Sequence, residues 1–251
     1  MSRFAPYQVD AFITKTLIHN LHIESSSASQ VVIKAGSAVG SDDGAVVMSL
    51  SSDITVDITN SGANGLDTGS ETANTWYYIY LIWNSSDGTV AGLLSASATA
   101  PVLPSGYTKK RLVGAVRNNS SSSFIRFTQY NNYVTHSDIT IASGALTSWT
   151  TINLASIAPT DLSVSLNIRG YVALPGSGHN TISIQVRKNS SSPSYAVAYS
   201  NRRSADAYAQ ADYDMTSNLI FGKTTTIQYY VSDNYNNPSA TIYSYGYMLD
   251  L

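Results

Sequence analysis

The sequence predicts an all-β protein: two antiparallel, jelly-roll-like β-sandwich domains preceded by a short N-terminal arm. Three observations carry this. Charged residues are only 12% of the 251-residue chain, and Ser, Thr, Asn and Gly fill the places where Lys and Glu usually build helix surfaces. Apolar runs recur about every 8–12 residues between polar turns, the spacing of a sandwich or barrel. One stretch, Gly62–Trp83, joins a turn-rich half to a strand with large apolar residues on both faces. Trp76, Tyr78, Tyr80 and Ile82 fall on one side, and Tyr77, Ile79, Leu81 and Trp83 on the other. Such a strand must lie between two packed layers, or between a sheet and a neighbouring subunit.

Residues 1–20 read as an attachment arm. Phe12, Ile13, Leu17, Ile18 and Leu21 there make a short apolar face at helical spacing. The first domain spans 21–133, with strands expected at Leu21–Ile23, Gln30–Ala35, Ala45–Leu50, Ile54–Ile58, Trp76–Trp83, Val90–Ser95, Leu112–Arg117 and Phe124–Tyr130. Ser41–Gly44 and Ser85–Gly88 separate some of them as polar turns, and the Asp-Gly of the second signals a hairpin. The polar seam at Asn131–Tyr133 sets the boundary. The second domain, 134–251, has strands expected at Ser137–Ile141, Thr150–Leu154, Asp161–Leu174, Thr181–Lys188, Ala196–Ser200, Asn218–Phe221, Thr225–Ser232 and Ala240–Leu249. Within it, Val164, Leu166 and Ile168 alternate with Ser163, Ser165 and Asn167, the pattern of a half-buried strand. Tyr243, Tyr245 and Tyr247 alternate along one face and read as strand packing.

Composition narrows the function classes. The net charge is -2 and the cationic groups Lys109-Lys110-Arg111 and Arg202-Arg203 are short, which argues against a nucleic-acid partner. There is no Cys, so disulfides, thiolate metal sites and a cysteine nucleophile are excluded. The opening MSRFAPYQVDAF lacks the basic-then-apolar pattern of a secretion signal. No run approaches the roughly 20 apolar residues of a membrane span. The expectation is a cytosol-made chain that does not insert in a membrane.

Candidate chemistry is sparse. Asp67-Thr68-Gly69 matches the short aspartic-protease signature, but that mechanism needs two carboxylates sharing a proton, and no second such triplet occurs. A tight turn feeding the next strand is the simpler reading. His19 and His22, three apart, would share a face on a helix and diverge on a strand, and they lack a third ligand. Asp212 and Asp214 could share a strand face, yet two carboxylates fall short of a Ca²⁺ oxygen set. Glycoside cleavage needs two placed carboxylates, and the only Glu residues, Glu24 and Glu71, sit in polar turn-like stretches. No catalytic, metal or cofactor site is expected. The C-terminal block is rich in Tyr, a side chain that offers a flat face, a hydroxyl and little entropy to lose. The loop-like stretches Arg202–Met215 and Asp233–Pro238 therefore supply the contact candidates: Arg202, Arg203, Tyr208, Tyr213, Tyr235 and Asn236.

From Leu21 to Tyr133 an ordered series of motifs resembles a module of tailed-bacteriophage virion proteins. The series is Gly65-Leu66-Asp67-Thr68-Gly69, then Asn74-Thr75-Trp76-Tyr77. Pro101-Val102-Leu103-Pro104-Ser105-Gly106-Tyr107, Gly114-Ala115-Val116-Arg117 and Phe127-Thr128-Gln129-Tyr130 follow. The second block, closing on Tyr245-Gly246-Tyr247-Met248-Leu249, more loosely resembles the β-sandwich heads of such proteins. The resemblance implies a non-enzymatic virion component, a tail-fibre or tail-tip protein and a homotrimer. It would be held to other virion proteins by its arm and would contact a host surface glycan or protein with its C-terminal domain. Trp76, Tyr78, Tyr80, Ile82 and Trp83 would form its assembly and core strand. The alternatives are a capsid-decorating protein and, further off, a polysaccharide-degrading enzyme.

Overall fold

The computed structural model describes residues 15–144, 146–175, 181–201, 208–211, 217–220, 222–232 and 239–251. Among these residues the elements are all β-strands, arranged in several antiparallel sheets. The chain divides into two compact units, Met1–His136 with Leu251, and Ser137–Asp250.

The first unit contains β1 (Ile18–His19), β2 (His22–Ser25), β3 (Gln30–Ile33), β4 (Ala38–Gly40), β5 (Val47–Ser49), β6 (Ile54–Asp57), β7 (Trp76–Asn84), β8 (Val90–Ser95), β9 (Tyr107–Arg117) and β10 (Phe127–Tyr130). It also holds the first residues of β11 (Tyr133–Ser143). β7 is the middle strand of the sheet β8-β7-β9. All six residues from Tyr77 to Ile82 are buried, so one chain covers both faces of this strand. On one face, Leu81 lies opposite Gly92 and Ile79 opposite Gly114. A Cβ on Gly92 would lie 2.2 Å from Val56 Cγ2, and one on Gly114 2.5 Å from Gln129 Oε1. This face therefore meets the sheet β10-β2-β3-β6, and two side-chain-free positions let the layers close. On the other face the segment after β8 folds over Tyr80. The Tyr80 hydroxyl donates to the Ser97 carbonyl at 2.9 Å, and the Lys110 ammonium lies 5.6 Å from the Tyr80 ring centre. Burial, with smaller contributions from Asp42, Tyr78 and Asp67, pushes the Tyr80 hydroxyl well above its usual range, so it stays a donor.

Several expectations change here. Ile18, expected on a helical face, pairs with Val39 of β4, and the neighbouring His19 pairs with Ala38. Leu17 accepts a bond from Gly40 N at 3.0 Å through its carbonyl and Leu21 is buried just before β2, while Phe12 and Ile13 lie outside the described residues. β9 begins at Tyr107, five residues before the expected start, and takes Lys109 and Lys110 into the ladder opposite Trp83 and Ile82. The two lysines are spent on the β4–β5 turn: Lys110 Nζ is 2.7 Å from Asp42 Oδ2, and Lys109 Nζ 2.5 Å from Asp43 Oδ2. Asn131, at the expected domain seam, sits at φ 51° in a two-residue hairpin turn joining β10 to β11. Its amide donates to the Leu21 carbonyl at 2.7 Å and its side-chain oxygen accepts from Leu21 N at 3.1 Å. A polar pair between two strand series thus marks a tight turn, because Asn tolerates the left-handed region.

The β4–β5 turn carries a pH dependence. Bonds from Lys109 first, then from the Ser41 hydroxyl, hold the Asp43 carboxyl at about 2, below its ordinary 3.8. A carboxyl depressed by folding adds stability above its unfolded value, and that stability is lost as pH falls through the folded value. Between pH 4 and pH 2, Asp43→Asn is expected to flatten the fall in melting temperature. The effect will stay within about 1 kcal/mol because the pair is solvent-accessible. Identical acid profiles for the two proteins would refute it.

The second unit has two sheets. One contains β13 (Ser163–Pro175), flanked by β19 (Ser239–Leu249) on one side and by β16 (Tyr208–Ala211) and β17 (Ser217–Ile220) on the other. The other has the order β12-β18-β14-β15, from β12 (Thr150–Asn153), β18 (Thr226–Val231), β14 (Thr181–Arg187) and β15 (Tyr195–Asn201). β13 is not half-buried: Ser163, Ser165 and Asn167 are buried along with Leu166 and Ile168. The strand has ladder neighbours on both sides, and Leu154, Ala158, Thr160 and Thr224 line a cavity together with Ser163 and Ser165. The tyrosines of β19 do not share a face either. Asn167 pairs with Gly246 and Ile168 with Ser244, which leaves Tyr245 as the extra residue of a bulge. One added residue inverts the alternation, so Tyr243 stays half-exposed while Tyr247 is buried.

Candidate functional site

The outer face of the sheet β12-β18-β14-β15 is the most distinctive surface among the described residues. Its inner face is apolar: Ile152, Ile227, Val231, Ile182, Ile184, Val186 and Val197 are all buried. Period-two alternation then sends Gln228 and Tyr230 of β18, and Ser183, Gln185 and Arg187 of β14, outward. Register places Gln185 opposite Tyr230 and Arg187 opposite Gln228. Trp149, one residue before β12, joins them from the sheet edge.

These side chains touch. The Arg187 guanidinium carbon lies 3.8 Å from the Trp149 ring centre, a close cation–π contact. Arg187 Nε donates to Gln228 Oε1 at 2.9 Å. The Trp149 and Tyr230 rings are 5.4 Å apart and tilted by 31°. Gln185 Oε1 accepts from the Ser194 hydroxyl at 2.9 Å. Each of Trp149, Arg187, Gln228, Tyr230 and Gln185 is half-buried. Arg187 is the only charged residue in the four strands, whose sequences are TTIN, TISIQVR, YAVAYSN and TIQYYV. Among the described residues no carboxylate pairs with it. The surface offers a positioned guanidinium, two aromatic rings and amide and hydroxyl groups. Those are the parts of a recognition surface for a polar ligand.

Of the contact candidates read from the sequence, Tyr208 alone lies among the described residues. Arg202, Arg203, Tyr213, Tyr235 and Asn236, with Asp212 and Asp214, lie outside the described residues. Tyr208, expected in a loop, begins β16 and pairs with Pro175. Its neighbours Ala209–Ala211 lack the bulky residues that would have marked a strand, and β13 supplies the pairing. The assembly and core residues all sit on β7: Tyr78, Tyr80 and Ile82 buried, Trp76 and Trp83 half-exposed at its ends.

The remaining groups have structural partners. Asp67 accepts a bond from Val102 N at 2.9 Å, tying the Gly65–Gly69 turn to the proline loop. Glu71 accepts from Asn118 Nδ2 at 2.7 Å, and Glu24 lies 2.8 Å from Lys34 Nζ. His22 stacks on Tyr130 with ring centres 4.2 Å apart, while His19 contacts Asn20. Among the described residues no group of three His, Asp or Glu could hold a metal ion.

The motifs of the first unit interlock. Gln129 is fully buried, and its Nε2 donates to the carbonyls of Val113 at 2.6 Å and Asn131 at 2.7 Å. Gly114 is the residue that leaves room for its oxygen. Gly65 is required for a different reason: a Cβ there would lie 2.5 Å from the Asn60 carbonyl oxygen. Spacing alone did not reveal these pairings. No protein-family model matches the chain, and no curated protein matches it either.

Proposed function

We propose that the chain is a structural component of a tailed-bacteriophage particle. In this reading it is non-enzymatic, trimeric and built of two jelly-roll-like sandwiches. The first unit, with its N-terminal arm, mounts it on other virion proteins, and the second faces a glycan or protein of the host surface. The ordered motif series from Gly65 to Tyr130 supports membership of such particles. The observation that carries the contact role is the outer face of β12-β18-β14-β15, where Trp149, Arg187 and Tyr230 meet on a sheet without carboxylates. Large planar groups with few rotatable bonds suit recognition because little entropy is lost on contact.

Purified protein incubated with cells of the bacterium that the particle infects is expected to be retained above a non-host control, and to sediment as a trimer. Retention equal to the control would refute the contact role. Copy numbers per particle that follow capsid symmetry would transfer the protein to decoration of the head. Loss of viscosity in a capsule digest, abolished by replacing single Asp residues, would make it an enzyme.

A further inference from the structure

We infer that the Trp149–Arg187–Tyr230 surface binds an acidic oligosaccharide, one whose uronate-type carboxylate is taken by Arg187. The inference rests on the host-contact reading above and gives it a ligand class. Arg187 is fixed from two directions, by its stack on Trp149 and by the bond from its Nε to Gln228. Its two terminal nitrogens find no partner among the described residues. A planar guanidinium held in this way presents parallel N–H groups that match a carboxylate, and the ordering cost is met before the ligand arrives. No acidic side chain of the four strands competes for it, so the charge selects an anion.

The surroundings select a sugar acid over other anions. Sugar rings carry an apolar C–H face and a rim of hydroxyls. Trp149 and Tyr230 give adjacent ring surface for the first, and Gln228, Gln185 and Ser183 give amide and hydroxyl partners for the second. An acidic peptide would use the guanidinium and pair its backbone with the amides, but it brings no apolar C–H ring face for Trp149 and Tyr230, so the aromatic pair is what separates the two ligand classes. β18 holds β12 and β14 in fixed register on either side of it, which sets the spacing of Arg187, Gln228 and Tyr230, and Trp149 adjoins the first residue of β12.

The test uses the full chain and calorimetric titration with four probes: hexagalacturonate, a hyaluronan hexasaccharide, maltohexaose as the neutral sugar and hexaglutamate as the acidic peptide. At least one acidic sugar is expected to bind saturably and more tightly than maltohexaose and hexaglutamate. Arg187→Gln is expected to weaken that binding by about tenfold or more, the scale of a charge-assisted bidentate contact. Trp149→Ala should weaken it too, and Trp149→Phe should restore part of it. Because Trp149→Ala can loosen the sheet edge, Arg187→Gln with an unchanged thermal transition is the deciding variant. Failure of both acidic sugars to bind, equal binding of hexaglutamate, or unchanged affinity in Arg187→Gln would overturn the assignment. Host-cell retention separates the two readings. Wild-type retention that Arg187→Gln leaves intact sinks this site and spares the contact role, whereas sugar binding without cell retention does the reverse.

Discussion

Tyr80→Ala is expected to destabilise the first unit by about 3–5 kcal/mol, the cost of deleting a buried aromatic side chain. Against a total folding stability of about 5–15 kcal/mol, that is a large share. Tyr80 is fully buried in the middle strand of its sheet, so neighbours on both sides hold the backbone in place and the vacated space cannot collapse cheaply. Tyr80→Phe separates the ring from the hydroxyl. It keeps the packing and removes only the 2.9 Å bond to the Ser97 carbonyl, at about 1 kcal/mol. Urea unfolding followed by tryptophan fluorescence gives both values, since Trp76 and Trp83 flank the site on the same strand. The midpoint should fall while the denaturant slope holds. A loss below about 1 kcal/mol for Tyr80→Ala would contradict the burial described above.

The second large effect comes from adding an atom instead of removing several. Gly92→Ala would set a Cβ 2.2 Å from Val56 Cγ2. Val56 is itself fully buried on β6, and its short branched side chain cannot swing aside. Overpacking of this kind costs about 1–3 kcal/mol. Gly92 is not among the residues at positive φ, so the penalty is steric and not conformational. A compensating change should then rescue it. In a double-mutant cycle, Gly92→Ala with Val56→Ala is expected to be more stable than the sum of the single effects predicts, by about 0.5–3 kcal/mol. Strict additivity would mean that the two sheets do not touch at this point.

How much of this was readable from the chain differs between the units. β7 was legible because both of its faces are apolar, and the Ser85–Gly88 hairpin because Gly88 supplies the positive φ, 76°, that such turns need. β4 is three residues long and too short to show a period. The first residues of β9 were hidden because Lys109, Lys110 and Arg111 read as a cationic group, whereas carboxylates of the β4–β5 turn neutralise two of them within the fold. The Trp149–Arg187–Tyr230 surface was legible only in fragments. The alternation that turns Ser183, Gln185 and Arg187 outward is present in the sequence. The meeting of Trp149 with Arg187 is not, since strand order in a sheet does not follow from local pattern. The side chains that converge lie on or beside paired strands, and the Tyr-rich stretches Arg202–Met215 and Asp233–Pro238 fall mostly outside the described residues.

The bulge at Tyr245 has a consequence for how this protein can change over generations. Loss of a single codon there would leave composition, charge and length almost untouched. It would remove the one residue without a place in the ladder, so that Gly246 follows Ser244 directly and Tyr247 keeps its position opposite Leu166. The strand therefore has one position where a single-residue deletion is absorbed, whereas the same loss between Gly246 and Leu249 would slip every residue beyond it.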